Sequence, residues 1–125
     1  MPKTVPRILI VEDEYAIAQM YRFKLENQGY LVKIANNGED GLLQFESFLP
    51  DLILLDLRMP VKSGDEMLEE LRSTKTGSDV KVVVLTNISK DEAPAKLRFL
   101  NVDRYIVKAH YTPKQVLEIV EEVLG

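Results

Sequence analysis

Asp51-Leu52-Ile53-Leu54-Leu55-Asp56, residues 51–56, is the most apolar short run in the chain, and it ends on a carboxylate. Its aliphatic residues follow one another without alternation. That suits a strand buried on both faces, as in a parallel sheet. Three more runs have the same form. Arg7 to Val11 leads into Glu12 and Asp13, Val80 to Leu85 into Thr86, and Tyr105 to Val107 into Lys108. As parallel strands of one sheet, these runs bring three carboxylates, a hydroxyl and an amine to its C-terminal edge. Open α/β sheets place their sites there. Clustered carboxylates repel one another and call for a cation, and their hard oxygen donors suit Mg²⁺.

The segments between the runs alternate in period. Ile17, Met20, Tyr21 and Leu25 make a helical stripe, closed by Gly29. Tyr30 to Ala35 is a further strand, followed by the turn Asn36-Asn37-Gly38. Leu42, Phe45 and Phe48 or Leu49 mark a second helix, which Pro50 ends. Leu57 to Gly64 is a loop, and Met67, Leu68 and Leu71 mark a third helix. The strand Lys81–Thr86 follows. Ala93, Leu97 and Leu100 predict a fourth helix with Pro94 in its first turn. After the strand Arg104–Val107, the residues Val116, Leu117, Val120, Val123 and Leu124 predict a fifth helix, with Pro113 in its first turn. Five βα units imply an α/β fold, a doubly wound five-stranded parallel sheet of flavodoxin-like (βα)5 type. Crossovers are expected to be right-handed, and with the strand order 2-1-3-4-5 Asp13 and Asp56 would flank the switch point. The length suits one domain, residues 1–125.

Composition narrows the function. The apolar fraction is 46%, the charged fraction 29% and the net charge −4. An acidic chain is a poor direct partner for nucleic acid. Without cysteine there is no disulfide, thiolate catalysis or thiolate metal site, and the single His110 cannot make a histidine cluster. No run approaches a membrane span and residues 1–6 lack a signal-peptide core, so a cytoplasmic protein is the expectation.

Four pieces, in order, carry a resemblance: Ile8-Leu9-Ile10-Val11-Glu12-Asp13-Glu14; Asp51 through Asp56-Leu57-Arg58-Met59-Pro60 with Gly64; Val84-Leu85-Thr86; and Tyr105-Ile106-Val107-Lys108. With them the chain resembles, over essentially its full length, the receiver domain of bacterial two-component response regulators. The resemblance implies a phosphorylation-activated switch with Asp56 as phosphoacceptor. It makes Asp13 the direct Mg²⁺ ligand and Glu12 a ligand largely through water. Asp56 and the Arg58 backbone carbonyl complete the set, with Mn²⁺ as a substitute cation. Thr86 is implied as the switch hydroxyl, Lys108 as the amine that pairs with phosphoryl oxygens, and Tyr105 as an aromatic that rotates from exposed to buried. The implied partners are a histidine kinase or histidine phosphotransfer protein, and a downstream protein or second copy at the face of the fourth helix, fifth strand and fifth helix. Such a switch catalyses only its own phosphorylation and dephosphorylation.

Each of these residues also has a plainer reading. Glu12, Asp13 and Glu14 suit a helix start, Asp56 a strand-end cap, Thr86 a β-branched strand residue, Lys108 a solvated strand end and Tyr105 core packing. Only their common register favours the site. Three features depart from the family pattern. Ala109 follows Lys108 where proline is frequent, which puts a cis peptide in doubt, since a non-proline cis bond costs about 3–4 kcal/mol. Asn87 follows Thr86 where a small residue is usual. Arg58 and Ile88, with Asn87, flank the site and are expected to tune the dephosphorylation rate. An aspartyl-phosphate-forming phosphatase is the enzymatic alternative, but it wants an acid two residues after the nucleophile, where Arg58 stands. A flavodoxin-like cofactor binder wants a phosphate loop after the first strand, where Glu12-Asp13-Glu14 would repel phosphate. The last helix carries Glu118, Glu121 and Glu122 rather than a basic run, so no effector segment is expected after Gly125. The expectation is a stand-alone signalling protein, with a receiver excised from a larger regulator as the alternative.

Overall fold

The computed structural model describes residues 5–125. Five strands, β1 (Arg7–Val11), β2 (Leu31–Ala35), β3 (Leu52–Leu55), β4 (Lys81–Thr86) and β5 (Arg104–Val107), form one sheet in the order β2-β1-β3-β4-β5. Every pairing is parallel. Helices α1 (Tyr15–Asn27), α2 (Gly38–Phe48), α3 (Gly64–Arg72) and α4 (Pro113–Leu124) cover its two sides. Successive side chains of a strand point to opposite faces, so the all-apolar runs supply both cores. Ile8, Ile10, Leu52, Leu54, Val83 and Leu85 meet Ala18, Tyr21 and Leu25 of α1 and Val116 and Val120 of α4. Leu9, Val11, Ile53, Leu55, Val82 and Val84 meet Phe45 of α2 and Met67, Leu68 and Leu71 of α3. Each buried Val, Leu, Ile, Phe or Met side chain among them contributes roughly 1.5–3 kcal/mol relative to an exposed one.

Local chemistry sets the helix ends. Asn37 accepts the Asp40 amide at 2.8 Å to start α2. Ser63 and Glu66 make a reciprocal capping box on α3, and Thr112 and Gln115 another on α4 ahead of Pro113. Gly29 follows α1 at φ 96°, a left-handed position that favours glycine. The helix α2 instead closes on Leu49 at φ 50°, ahead of Pro50.

The fourth predicted helix does not form as an α-helix. Between β4 and β5 lie two 3₁₀ segments, Lys90–Glu92 and Ala95–Phe99. Pro94 divides the two segments. The residue before a proline is pushed to extended backbone, and Ala93 sits at φ −66°, ψ 147°. The apolar stripe still reaches the core, with Leu97 buried and Ala93 and Leu100 packed beside it. Arg72 holds the far end of this stretch, donating to the carbonyls of Leu100 and Asn101 at 2.8 Å each and to those of Gly77 and Val80 at 3.1 and 2.8 Å. Lys96 ties its middle to Asp65 and Glu69 of α3 at 3.5 and 3.4 Å.

Candidate functional site

Neighbouring β1 and β3 bring their C-terminal residues side by side. The ladder runs one residue past each strand: the Glu12 amide donates to the Ala35 carbonyl and the Asp56 amide to the Val11 carbonyl, both at 3.0 Å. The sheet itself therefore fixes the backbone under both carboxylates. One carboxylate oxygen from each of Glu12, Asp13 and Asp56 lies within 4.8 Å of the other two. Glu12 and Asp56 are 4% and 7% exposed. Asp13 is exposed, so the cluster opens to solvent on its side.

Lys108, at the end of β5, reaches across this cluster. Its Nζ donates to Glu12 Oε1 at 2.7 Å and lies 3.6 Å from Asp56 Oδ2. Backbone amides take the remaining oxygens: Glu14 N–H donates to Glu12 Oε2 at 3.1 Å, and Leu57 N–H to Asp56 Oδ1 at 2.8 Å. Burial pushes the Glu12 carboxyl up to about 7, with the Asp56 charge adding to the shift, and Lys108 and the Glu14 amide only partly oppose them. Burial draws the Lys108 ammonium down, but Glu12 and Asp56 outweigh it and hold it above its ordinary value. Charges this close and this buried need a cation or a proton between them.

Gly64 is a steric requirement of the site. A Cβ there would lie 2.0 Å from the Asp56 carbonyl oxygen, and the Gly64 amide donates to the Leu57 carbonyl at 2.9 Å. The start of α3 is thus pressed against the Asp56 backbone, which explains a glycine at that point of the loop.

The remaining predicted residues line the edge. Thr86, 1% exposed, ends β4 and accepts the Ile88 amide at 3.4 Å. Arg58 and Asn87 are exposed and Ile88 is half-buried. Tyr105 departs from the expectation of an exposed resting side chain. It is half-buried, packs on the α2–α3 side of the sheet and donates its hydroxyl to the Ile88 carbonyl at 2.7 Å. No peptide among the described residues is cis, so Lys108–Ala109 is trans. Sequence reading missed the clamping amides of Glu14 and Leu57, which leave no residue-type signal, and the Ile88 carbonyl for the same reason. It brought the Lys108 amine to the carboxylates without saying which one it meets first, and its shortest contact is Glu12.

Comparison with known proteins agrees with this geometry. The family model of the response regulator receiver domain matches residues 8–121, and the chain belongs to that family. It is 29% identical over 115 residues to the phosphate regulon transcriptional regulatory protein PhoB of Rhizobium meliloti, covering 92% of this chain and 51% of that one. To the alkaline phosphatase synthesis transcriptional regulatory protein PhoP of Bacillus subtilis it is 34% identical over 120 residues, covering 94% and 48%. The chain thus spans about half the length of these curated relatives. Among solved structures, a CheY-like response regulator receiver domain protein from Methanospirillum hungatei superposes with TM-score 0.85 at 33% identity, covering 97% and 94% of the two chains. The response regulator TrrA of Thermotoga maritima, in complex with Mg²⁺-BeF, gives 0.83 at 34%, covering 95% and 99%. The chain is therefore a two-component signalling switch module rather than a conventional enzyme. No helix among the described residues is long and apolar enough to cross a membrane.

Proposed function

We propose that Asp56 accepts a phosphoryl group from a phosphohistidine of a histidine kinase or histidine phosphotransfer protein. The observation that carries this reading is the Asp56 carboxylate at the sheet's switch point, with Lys108 Nζ 3.6 Å away and two further carboxylates beside it. An Asp56 carboxylate oxygen attacks phosphorus in line as the bond to the donor imidazole breaks, and the freed imidazole takes up a proton. Lys108 and the Leu57 amide stand ready to meet phosphoryl oxygens, and the Thr86 hydroxyl is the remaining donor on this edge.

The residues fit a hard divalent cation. Every donor is an oxygen, and the Asp13 side is open for water and phosphoryl oxygens. Asp13, Asp56 and the Arg58 backbone carbonyl would hold Mg²⁺ directly and Glu12 through water, with Mn²⁺ acceptable to the same donors. When bound, the cation neutralises charge on the phosphoryl oxygens. This self-phosphorylation, and the hydrolysis of the aspartyl phosphate by water to Asp56 and inorganic phosphate, would be the only reactions the chain catalyses. Arg58, Asn87 and Ile88 flank the approach to Asp56 and would set how long the acyl phosphate survives.

The signal would leave through β5, the 3₁₀ stretch before it and α4, where Tyr105 couples to Ile88, toward a protein partner or a second copy. The net charge of −4 speaks against direct DNA contact by these residues. We read residues 1–125 as one receiver unit, working in the cytoplasm where an ATP-fed kinase can charge it. Intact mass after phosphoramidate and Mg²⁺ tests the reading. We expect one added phosphoryl group, absent in Asp56→Asn, whereas equal labelling of that variant would refute Asp56 as acceptor.

A further inference from the structure

Against the acidic cluster lies a small cavity of about 10 Å³, whose lining includes Glu12 and Asp56 together with Ile17, Tyr21, Leu54 and Leu85. A space of this size holds about one water molecule, given polar partners. Most of its wall is aliphatic. The polar groups are the two carboxylate residues and Tyr21.

Tyr21 is out of place in an aliphatic layer. It is 5% exposed and packs among Ile8, Ile10, Ala18 and Leu25 in the core between the sheet, α1 and α4. A leucine would bury there without a polar atom. Side chains on an α-helix lean toward the helix N-terminus. The helix α1 begins at Tyr15, directly after Glu12-Asp13-Glu14, so the Tyr21 ring leans toward the cluster. The charge of Glu12 is felt at the phenol, where it adds to burial in raising its pKa. Glu12 has capacity left: Oε1 takes Lys108 and Oε2 takes the Glu14 amide, one donor each where a carboxylate oxygen accepts two.

We propose that Tyr21 is a positioning residue for Glu12, its hydroxyl donating through one buried water in this cavity to the Glu12 carboxylate. Lys108 holds one carboxylate oxygen and the Glu14 amide the other, and the water-bridged phenol is the third donor. With all three donors Glu12 has one orientation toward the cation. Without the phenol the carboxylate loses one of them, and bound cation must supply the order. The inference rests on the phosphoacceptor reading above, because it assigns Tyr21 to the cation step of that reaction.

The test compares the wild type with Tyr21→Phe, which keeps the ring and removes only the hydroxyl, and with Ile17→Val, which alters the cavity wall without touching a polar group. Mg²⁺ affinity is read by calorimetry on unphosphorylated protein, and the rate of phosphorylation by phosphoramidate is read at limiting and saturating Mg²⁺. We expect Tyr21→Phe to weaken Mg²⁺ by about two- to tenfold, the worth of one hydrogen bond. The phosphorylation rate should fall at limiting Mg²⁺ and recover at saturation. Ile17→Val should bind Mg²⁺ as the wild type does. Unchanged affinity in Tyr21→Phe, or an equal loss in Ile17→Val, would overturn the role of the hydroxyl while leaving the phosphoacceptor reading intact. A wild type that takes up no Mg²⁺ would overturn both.

Discussion

Glu12 lies 2.7 Å from an ammonium, yet its carboxyl is pushed up to about 7. Burial outweighs the ion pair, because removing a carboxylate from water costs more than one partner returns. A consequence follows for the cation. Mg²⁺ needs the ionised carboxylate, so a proton on Glu12 competes with it. Apparent Mg²⁺ affinity should hold above pH 7 and fall as the pH drops from about 7 to 5, approaching tenfold per unit. Calorimetric titrations at a series of pH values measure this, with Asp13→Ala expected to remove binding throughout. An affinity flat from pH 8 to 5.5 would contradict the role of Glu12. At this scale the sequence was informative about residue types and silent about partners. Glu12, Asp13, Asp56 and Lys108 stood out because charge after an apolar run is unusual. That Lys108 bonds first to Glu12, and that Tyr105 rests inward on the Ile88 carbonyl, depended on side-chain geometry that no spacing encodes.

At the scale of elements, two positions decide how the site meets its surroundings. Gly64 lets α3 start against the Asp56 carbonyl, where a Cβ would sit 2.0 Å from the oxygen. Backbone on backbone cannot relax as a flexible side chain can. Gly64→Ala should therefore cost about 3 kcal/mol or more, measurable as a lowered urea midpoint. A loss under about 1 kcal/mol would show that the loop adapts. Pro94 is the second position. The i, i+4, i+7 spacing of Ala93, Leu97 and Leu100 predicted a helix, and it did identify the side that packs on the core. Periodicity could not register that Pro94 pushes Ala93 to extended backbone, which divides the stretch into two short 3₁₀ segments. Pro94→Ala should extend helix through this region and deepen the 222 nm circular dichroism signal by about one to two turns' worth. An unchanged spectrum would mean that the Arg72 and Lys96 ties, rather than proline, hold the segment out of α-helix. The strands, by contrast, were legible to within a residue, and β1, β3 and β4, apolar on both faces, have little alternative to a covered parallel sheet.

For the whole molecule, topology joins site to surface. The order β2-β1-β3-β4-β5 sets β3 with Asp56 beside β4 with Thr86, and β4 beside β5 with Tyr105 and Lys108. Thr86 pairs in register with Val107, one residue before Lys108. A charge change at Asp56 is therefore two strands from the outer edge. The 3₁₀ stretch over that edge is held by three ties: Tyr105 on Ile88, Lys96 on α3, and Arg72 on Leu100 and Asn101. A phosphoryl group that draws the Thr86 hydroxyl inward would favour the inward Tyr105 and shift the population of this stretch rather than refold it. The most direct measurement is a pair of amide NMR spectra, of the apo protein and of the protein with beryllofluoride and Mg²⁺. We expect changes at the loops around Glu12, Asp56 and Lys108 and, beyond them, along residues 88–107. Changes confined to the site loops, with residues 88–107 unmoved, would contradict the claim that Asp56 controls this surface.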